Sequence, residues 1–247
     1  MKNMLSAKDR LVLALDLEKD RDALDLVSEL KDSVSMFKVG HQLFTAYGPD
    51  IVRRIISMGS RVFLDLKYHD IPNTVAKASA EAVKLGVSIL NVHALGGHDM
   101  MKAASESVRD TAAALNLPKP VVLAVTVLTS MDEQSLRKEL KITRSLQREV
   151  SHLARLAQRA GMQGVVASPH EIKALRRSVR GDFVILTPGV RPAWAAKDDQ
   201  KRVMTPGEAI AAGADYVVVG RPILKAADRK IAAKQILDEI ESVVKQR

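Results

Sequence analysis

Charged side chains stand at the ends of apolar segments near the start of the chain, where isolated charge is unusual. They belong to Asp16, Lys38, Asp65 and Lys67. Ionised groups in apolar strands are costly unless they are paired or functional. Two aspartates and two lysines at neighbouring strand ends are expected to form an alternating network, which keeps the lysines protonated and the aspartates ionised.

The segment 63–72 carries the most chemical information. Residues two apart in a strand face the same side, so Asp65 and Lys67 should point together, with Asp70 just beyond them. A plain structural ion pair is the alternative interpretation. The cost of placing charge in an apolar strand favours a functional one.

The elements that must position these side chains are short apolar runs, most of them nearly continuous. Strands covered on both faces by helices have this pattern, as in a parallel sheet. The runs that we predict as strands are 11–17, 36–39, 61–67, 89–94, 121–128, 164–167, 183–186 and 216–219. Between many of them, apolar residues recur at helical spacing.

Helix starts are also visible. The segments 168–171 and 205–208 have the pattern of capping boxes with proline at the first helical position, and 130–133 has the same pattern without proline. Eight strand–helix units predict an α/β fold, a single (β/α)8 TIM barrel that spans residues 1–247 as one domain. An open doubly wound sheet is the alternative, but neither G-x-G-x-x-G after the first run nor a P-loop is present.

Barrels keep their chemistry at the carboxyl ends of the strands, so the residues after the last strands join the candidates. Gly220 and Arg221 follow the eighth run, at the usual phosphate position of such barrels. Backbone N–H groups and a guanidinium fork suit a phosphate dianion. The segment 191–205 is long, polar and without apolar periodicity, which is typical of a lid loop.

Composition narrows the class of partner. The formal net charge of +9 favours anionic partners, but aromatic residues form only 3% of the chain, which argues against a surface where bases stack. The most apolar stretch, 121–128, is too short to cross a membrane, and the first residues lack the apolar block of a signal peptide. Since cysteine is absent, disulfides are excluded. We expect a cytoplasmic protein that binds neither nucleic acid nor membrane.

The strand-three segment has the pattern D-x-K-x-x-D-I-P-N-T, and through it the chain resembles the orotidine 5'-monophosphate decarboxylase family. The resemblance runs from about residue 11 to residue 223. Its other matches lie at 14–16, 37–40, 92–94, 126–130, 165–168, 187–191, 198–202 and 218–222. It implies a (β/α)8 lyase that converts orotidine 5'-monophosphate to uridine 5'-monophosphate and CO2 in de novo pyrimidine biosynthesis, with neither cofactor nor metal.

The same resemblance implies roles for the charged residues. Lys67 would donate its proton to C6 of the pyrimidine and stabilise the negative charge that develops there, with preorganised charge as the main contribution. Asp65 would lie beside the departing carboxylate and disfavour it in the ground state. Asp16 and Lys38 would hold the ribose hydroxyls and position Lys67.

In similar proteins, the residues that match Asp70, Ile71 and Thr74 reach into the neighbouring subunit's site. The resemblance therefore implies a homodimer with composite active sites. Asp70 and Lys38 count with Asp65 and Lys67 as catalytic candidates.

The resemblance also assigns residues to the two ends of the substrate. Arg191 and Gln200 would join Arg221 on the phosphate, and Thr129 would lie near the pyrimidine. Ser130 is the alternative to Thr129, but we favour a helix-capping role for it.

Other functions predict other features. Decarboxylases of 3-keto-L-gulonate 6-phosphate share D-x-K-x-x-D but bind Mg2+, and x-G typically follows their last aspartate where this chain has Ile71 and Pro72. Ribulose-phosphate 3-epimerases need paired His–Asp metal ligands, which are not evident. His93, His98 and Asp99 suggest a metal site, but separate structural roles fit their spacing better. A basic nucleic-acid-binding protein would leave the ion network without a purpose.

Overall fold

A closed barrel of eight parallel strands forms the centre of the computed structural model, which describes residues 5–195 and 204–245. The strands follow one another around the barrel in chain order, and β8 pairs with β1 to close it. They are β1 (Leu11–Ala14), β2 (Met36–Gly40), β3 (Arg61–Tyr68), β4 (Ile89–His93), β5 (Val121–Val125), β6 (Gly164–Val166), β7 (Val184–Thr187) and β8 (Tyr216–Val219). The predicted (β/α)8 TIM barrel is confirmed, and the open sheet is excluded.

Helices cover the outside of the barrel, and every strand is followed by at least one. They are α1 (Ala7–Arg10), α2 (Asp20–Leu30), α3 (His41–Ser57), α4 (Pro72–Lys84), α5 (Gly97–Ala114), α6 (Glu133–Lys138), α7 (Leu146–Arg159), α8 (Ile172–Ser178), α9 (Pro206–Ala212), α10 (Arg221–Leu224) and α11 (Arg229–Val244). None of the helices in the described part of the chain is long and apolar enough to span a membrane.

Strand alternation divides the buried residues into two cores. Leu11 and Leu13 point outward and pack under the helices, whereas Val12 and Ala14 point into the barrel. The interior is filled by residues at alternate positions of the eight strands: Val12, Ala14, Met36, Phe63, Ile89, Leu123, Val125, Val166, Leu186, Tyr216 and Val218. The barrel is therefore a packed core with an opening only at its rim.

Two strands end three residues earlier than their apolar runs. β1 ends at Ala14 rather than at 17, and β5 ends at Val125 rather than at 128. The Leu15 N–H still bonds the carbonyl of Lys38, at 3.0 Å, before the chain turns into the rim loop. Leu15 and Val127, just beyond these strands, are apolar and buried because they pack in the same cluster as the outward-facing strand residues.

The predicted capping boxes are confirmed at two of three sites. Thr205 caps α9 together with Glu208, and the Glu171 carboxylate accepts the Ser168 N–H at 2.9 Å. The box at 130–133 is wrong, because the cap of α6 is Asp132, whose carboxylate accepts the Ser135 N–H at 2.8 Å. Ser130 instead lies in the turn that precedes the helix.

Candidate active site

The charged residues of the first three strands continue the inward-facing rows of the barrel interior. Asp16 follows Val12 and Ala14, Lys38 follows Met36, and Asp65 and Lys67 follow Phe63, each at intervals of two. Because alternate residues of a strand share a face, all these side chains point into the barrel mouth above the apolar filling. The two-residue spacing therefore predicts that these side chains meet at the mouth, and the local backbone of β3 then orients Lys67.

The side chains form one connected chain of ion pairs. The Lys38 ammonium nitrogen lies 3.1 Å from Asp16 Oδ1 and 3.5 Å from Asp65 Oδ2. The Lys67 nitrogen lies 2.7 Å from Asp65 Oδ1. The predicted alternating order of acid, base, acid and base is thus observed, with Asp65 between the two lysines.

Asp65 holds its negative charge despite burial. Burial of its side chain would raise the pKa of this carboxyl, but the nearby ammonium groups of Lys38 and Lys67 outweigh that effect. Hydrogen bonds from Lys67 and Asn91 act in the same direction, and the pKa of Asp65 is lowered overall. A fixed anion beside a lysine at the bottom of a pocket can repel a second carboxylate and orient a proton donor.

Lys67 has an unusual backbone. Its φ of 47° lies in the left-handed region, which a residue with a side chain seldom adopts. The pairing of β3 with β4 is irregular here: Leu64 pairs with Leu90, and the next pair is Tyr68 with Val92. Such strained positions cost of order 1–3 kcal/mol and cluster at functional sites. The bulge directs the Lys67 side chain back toward Asp65.

The ion pairs form one side of a cavity of about 310 Å³ at the carboxyl end of the barrel. Its floor and walls include inward-facing apolar residues: Ala14, Phe63, Val166, Leu186 and Val218. Thr129, Arg191, Gly220 and Arg221 also line the cavity. Anionic, cationic and apolar surfaces therefore meet in one pocket, which suits a ligand with an apolar ring and an anionic group.

Other predicted residues lie elsewhere. Asp70, Ile71 and Thr74 are exposed at the start of α4, and they do not line the cavity of the single chain. Gln200 lies outside the described residues, as does the part of the predicted lid between 196 and 203. Ser130 is not among the residues that line the cavity, whereas Thr129 is.

Asn91 is a polar neighbour that the sequence analysis missed. Its side chain is fully buried on the inner face of β4, where it donates to Asp65 Oδ1 at 2.7 Å and accepts the Lys67 N–H at 2.8 Å. The sequence signal for Asn91 was the two-residue period of the strand. Ile89, two residues earlier on β4, points into the barrel, so Asn91 should as well. A buried amide on that row had to find partners among the charges beside it.

The histidines have separate environments. His93 stacks on His69 with ring centroids 5.4 Å apart, whereas His98 Nδ1 lies 3.0 Å from Asp99 Oδ1. Burial, with His69 and Lys67 nearby, lowers the pKa of His93. Within the described residues, no group of three or more histidine, cysteine or acidic side chains is placed to hold a metal ion.

The chain is similar to known proteins in both its sequence and its fold. Residues 9–236 match the family model described as "Orotidine 5'-phosphate decarboxylase / HUMPS family". The chain is 53% identical to an orotidine 5'-phosphate decarboxylase of Moorella thermoacetica, over 97% of this chain and 95% of the relative. A relative of the same name from Syntrophotalea carbinolica is 51% identical over 98% of this chain and 99% of its own length. The crystal structure of orotidine 5'-phosphate decarboxylase from Lactobacillus acidophilus is similar with a TM-score of 0.83 and 38% identity, covering 93% of this chain and 98% of that one.

Proposed function

The chain belongs to the orotidine 5'-phosphate decarboxylase / HUMPS family, and we propose that it converts orotidine 5'-monophosphate to uridine 5'-monophosphate and CO2 in cytoplasmic pyrimidine synthesis. The observation that carries this proposal is the row of Asp16, Lys38, Asp65 and Lys67 in the barrel mouth. Its chemistry fits a substrate that loses a carboxylate and must accept a proton at the same carbon.

The pocket can orient such a nucleotide along its length. The pyrimidine lies over the apolar floor near Thr129, the ribose hydroxyls bond Asp16 and Lys38, and the phosphate reaches Arg191 and Arg221. Gln200 joins them on the phosphate, as the resemblance implies, and the loop 191–205 covers the substrate as a lid. Lid closure excludes water and strengthens the charge interactions inside.

In the chemical step, the bond between C6 and the carboxylate carbon breaks and CO2 leaves. The electron pair of that bond stays on C6, where the Lys67 ammonium stabilises it and then donates a proton to it. Asp65 disfavours the neighbouring substrate carboxylate and orients Lys67 through their 2.7 Å contact. The charges are in place before the reaction, so they need little reorganisation as the carbanion forms.

A direct assay tests this function. The absorbance of orotidine 5'-monophosphate is followed with the purified chain, before and after exhaustive treatment with a chelator. We expect turnover at the same rate in both, because lysine and aspartate carry the chemistry. Loss of turnover on chelation and its recovery with Mg2+ would instead favour the sugar-phosphate decarboxylases, which share part of the motif. No turnover without a chelator would refute the proposed substrate.

We also propose a homodimer in which Asp70, Ile71 and Thr74 complete the neighbouring subunit's site. Their exposure leaves them available to a second subunit, and Ile71, at 66%, is the most exposed large apolar side chain of the described residues. Dilution below the dimer dissociation constant should then lower the specific activity, with the mass followed by light scattering. A monomer with full activity would contradict the composite site.

A further inference from the structure

The Asn91 side chain contacts both Asp65 and Lys67, on the side of these residues that faces away from the cavity. Its side chain has no exposed surface, and it comes from β4, the strand next to the one that carries Asp65 and Lys67. The amide nitrogen donates to Asp65 Oδ1 and the amide oxygen accepts the backbone N–H of Lys67. Asp65 Oδ1 therefore receives both the Asn91 amide and the Lys67 ammonium, each at 2.7 Å.

The hydrogen bond from the Lys67 N–H to the Asn91 side-chain oxygen lies where the regular pairing of β3 with β4 is interrupted. Between the pairs Leu64–Leu90 and Tyr68–Val92, three residues of β3 stand opposite Asn91 alone. A backbone N–H left without a partner at such a bulge would be destabilising, because buried amide groups need acceptors. The Asn91 oxygen is that acceptor for Lys67, at 2.8 Å.

We propose that Asn91 is a positioning residue for the decarboxylation: it fixes the left-handed backbone of Lys67 and the orientation of the Asp65 carboxylate, so that the ammonium group is aimed at C6. The inference rests on the proposed function of the site. Asn91 itself acts through Asp65 and Lys67, since its amide is buried beneath them and does not line the cavity.

An amide of this length meets both requirements at this position. It must donate to a carboxylate on one side and accept an N–H on the other. An aspartate at this position would keep the acceptor but lose the donor and add a negative charge beside Asp65. A threonine would retain some volume and one short polar group. The three variants Asn91→Ala, Asn91→Asp and Asn91→Thr therefore remove the contacts in different combinations.

The matched control is Thr126→Val, at the residue that follows β5. Thr126 is also fully buried, and its hydroxyl bonds only the Val166 carbonyl, at 3.1 Å, among the contacts of the described residues. It does not line the cavity. Its loss costs a buried hydrogen bond in the same barrel without touching the ion pairs.

Steady-state kinetics with orotidine 5'-monophosphate are measured for all four variants and the wild type, with thermal melting to confirm folding. We expect kcat of Asn91→Ala to fall about 10- to 100-fold, as is typical when a group that orients a reactive residue is lost. KM should change much less, because Asn91 does not touch the substrate. Thr126→Val should keep both constants. If Asn91→Ala does not fold, Asn91→Thr takes its place with the same expectation.

Amide hydrogen exchange at Lys67 gives a readout that does not depend on turnover. Protection of this amide should be lost in Asn91→Ala and retained in Asn91→Asp and Thr126→Val. Asn91→Asp should still have a low kcat, because its carboxylate repels Asp65. A kcat within twofold of the control, or unchanged protection at Lys67, would overturn the inference. An inactive wild type would refute the proposed function instead, and the exchange data alone would then decide whether Asn91 fixes Lys67.

Discussion

The two ends of the barrel both carry buried ion pairs, but they are built differently. At the amino end, Arg176 of α8 contacts Asp215, just before β8, with 2.6 Å between Nη2 and Oδ2. The same guanidinium donates to the carbonyls of Gly213 and Phe183, and Asp215 also accepts the Ile185 N–H at 2.8 Å. This pair ties a helix, a loop and two strands together.

At the carboxyl end, the ion pairs among the side chains of the first three strands have lysines as their cations, and they form an open chain. Lys38 and Lys67 share Asp65, and Asp16 at the end of the chain has a 60% exposed side chain. Arginine offers a rigid fork of donors that never loses its proton, whereas lysine offers a compact charge that can. We infer that the arginine pair holds the amino end of the barrel together, whereas the lysines at the carboxyl end carry the proton chemistry in our proposal.

Lys67→Ala is the strongest test of this difference. Turnover should fall by at least about 10²- to 10⁴-fold, the usual contribution of a proton donor, while the melting temperature stays close to that of the wild type. Steady-state kinetics and calorimetry measure the two quantities. Lys84→Ala is the control, since Lys84 forms an exposed pair with Glu81 on α4. Near-wild-type rates for Lys67→Ala would show that the lysine end is structural too.

Asp215→Ala should have the opposite effect. The substitution removes the acceptor that the Arg176 guanidinium and the Ile185 N–H share. Removing one partner of a buried ion pair lowers the free energy of unfolding by about 3–5 kcal/mol. Urea unfolding measures this loss, and kcat at low temperature should be unchanged. Asp9→Ala is the control, because its pair with Arg61 is about one third exposed and should matter less. A fall in kcat with unchanged stability would contradict the division between the ends.

Arg221→Ala sharpens the comparison within the carboxyl end, since this arginine serves the ligand in our proposal. Hydrogen bonds to charged groups contribute about 1.5–3 kcal/mol, so KM for the phosphorylated substrate should rise by about one to two orders of magnitude. The phosphate-free nucleoside should react as slowly as with the wild type. Equal losses on both substrates would show that Arg221 does not bind the phosphate.

The rows of the sheet explain why so much of the site could be predicted. Asp65 and Lys67 lie two residues apart on one strand. In a closed parallel barrel, side chains at the carboxyl end of such an inward-facing row lie at the mouth, independent of the loops. The position of Gly220 and Arg221 after β8 likewise predicted that they lie at the mouth, and both line the cavity. These predictions needed only strand parity and the rule for barrel rims.

The residues that were missed depend on contacts between strands. Asn91 lies on an apolar strand, and its importance appears only when β3 bulges and its amide meets Lys67. The cap at Asp132 was missed because the pattern at 130–133 favoured Ser130, and the turn before α6 places Asp132 at the cap instead. Local patterns do not contain that information.

The inward rows also restrict how this barrel can evolve. Deleting one residue between Met36 and Lys38 would turn the lysine outward under the helices and bring an apolar neighbour to the mouth. The rim loops carry no such parity, so insertions and deletions can accumulate there without reversing a side chain. Relatives that bind other phosphorylated compounds should therefore differ in loop length at the rim and agree in the spacing of their strand residues.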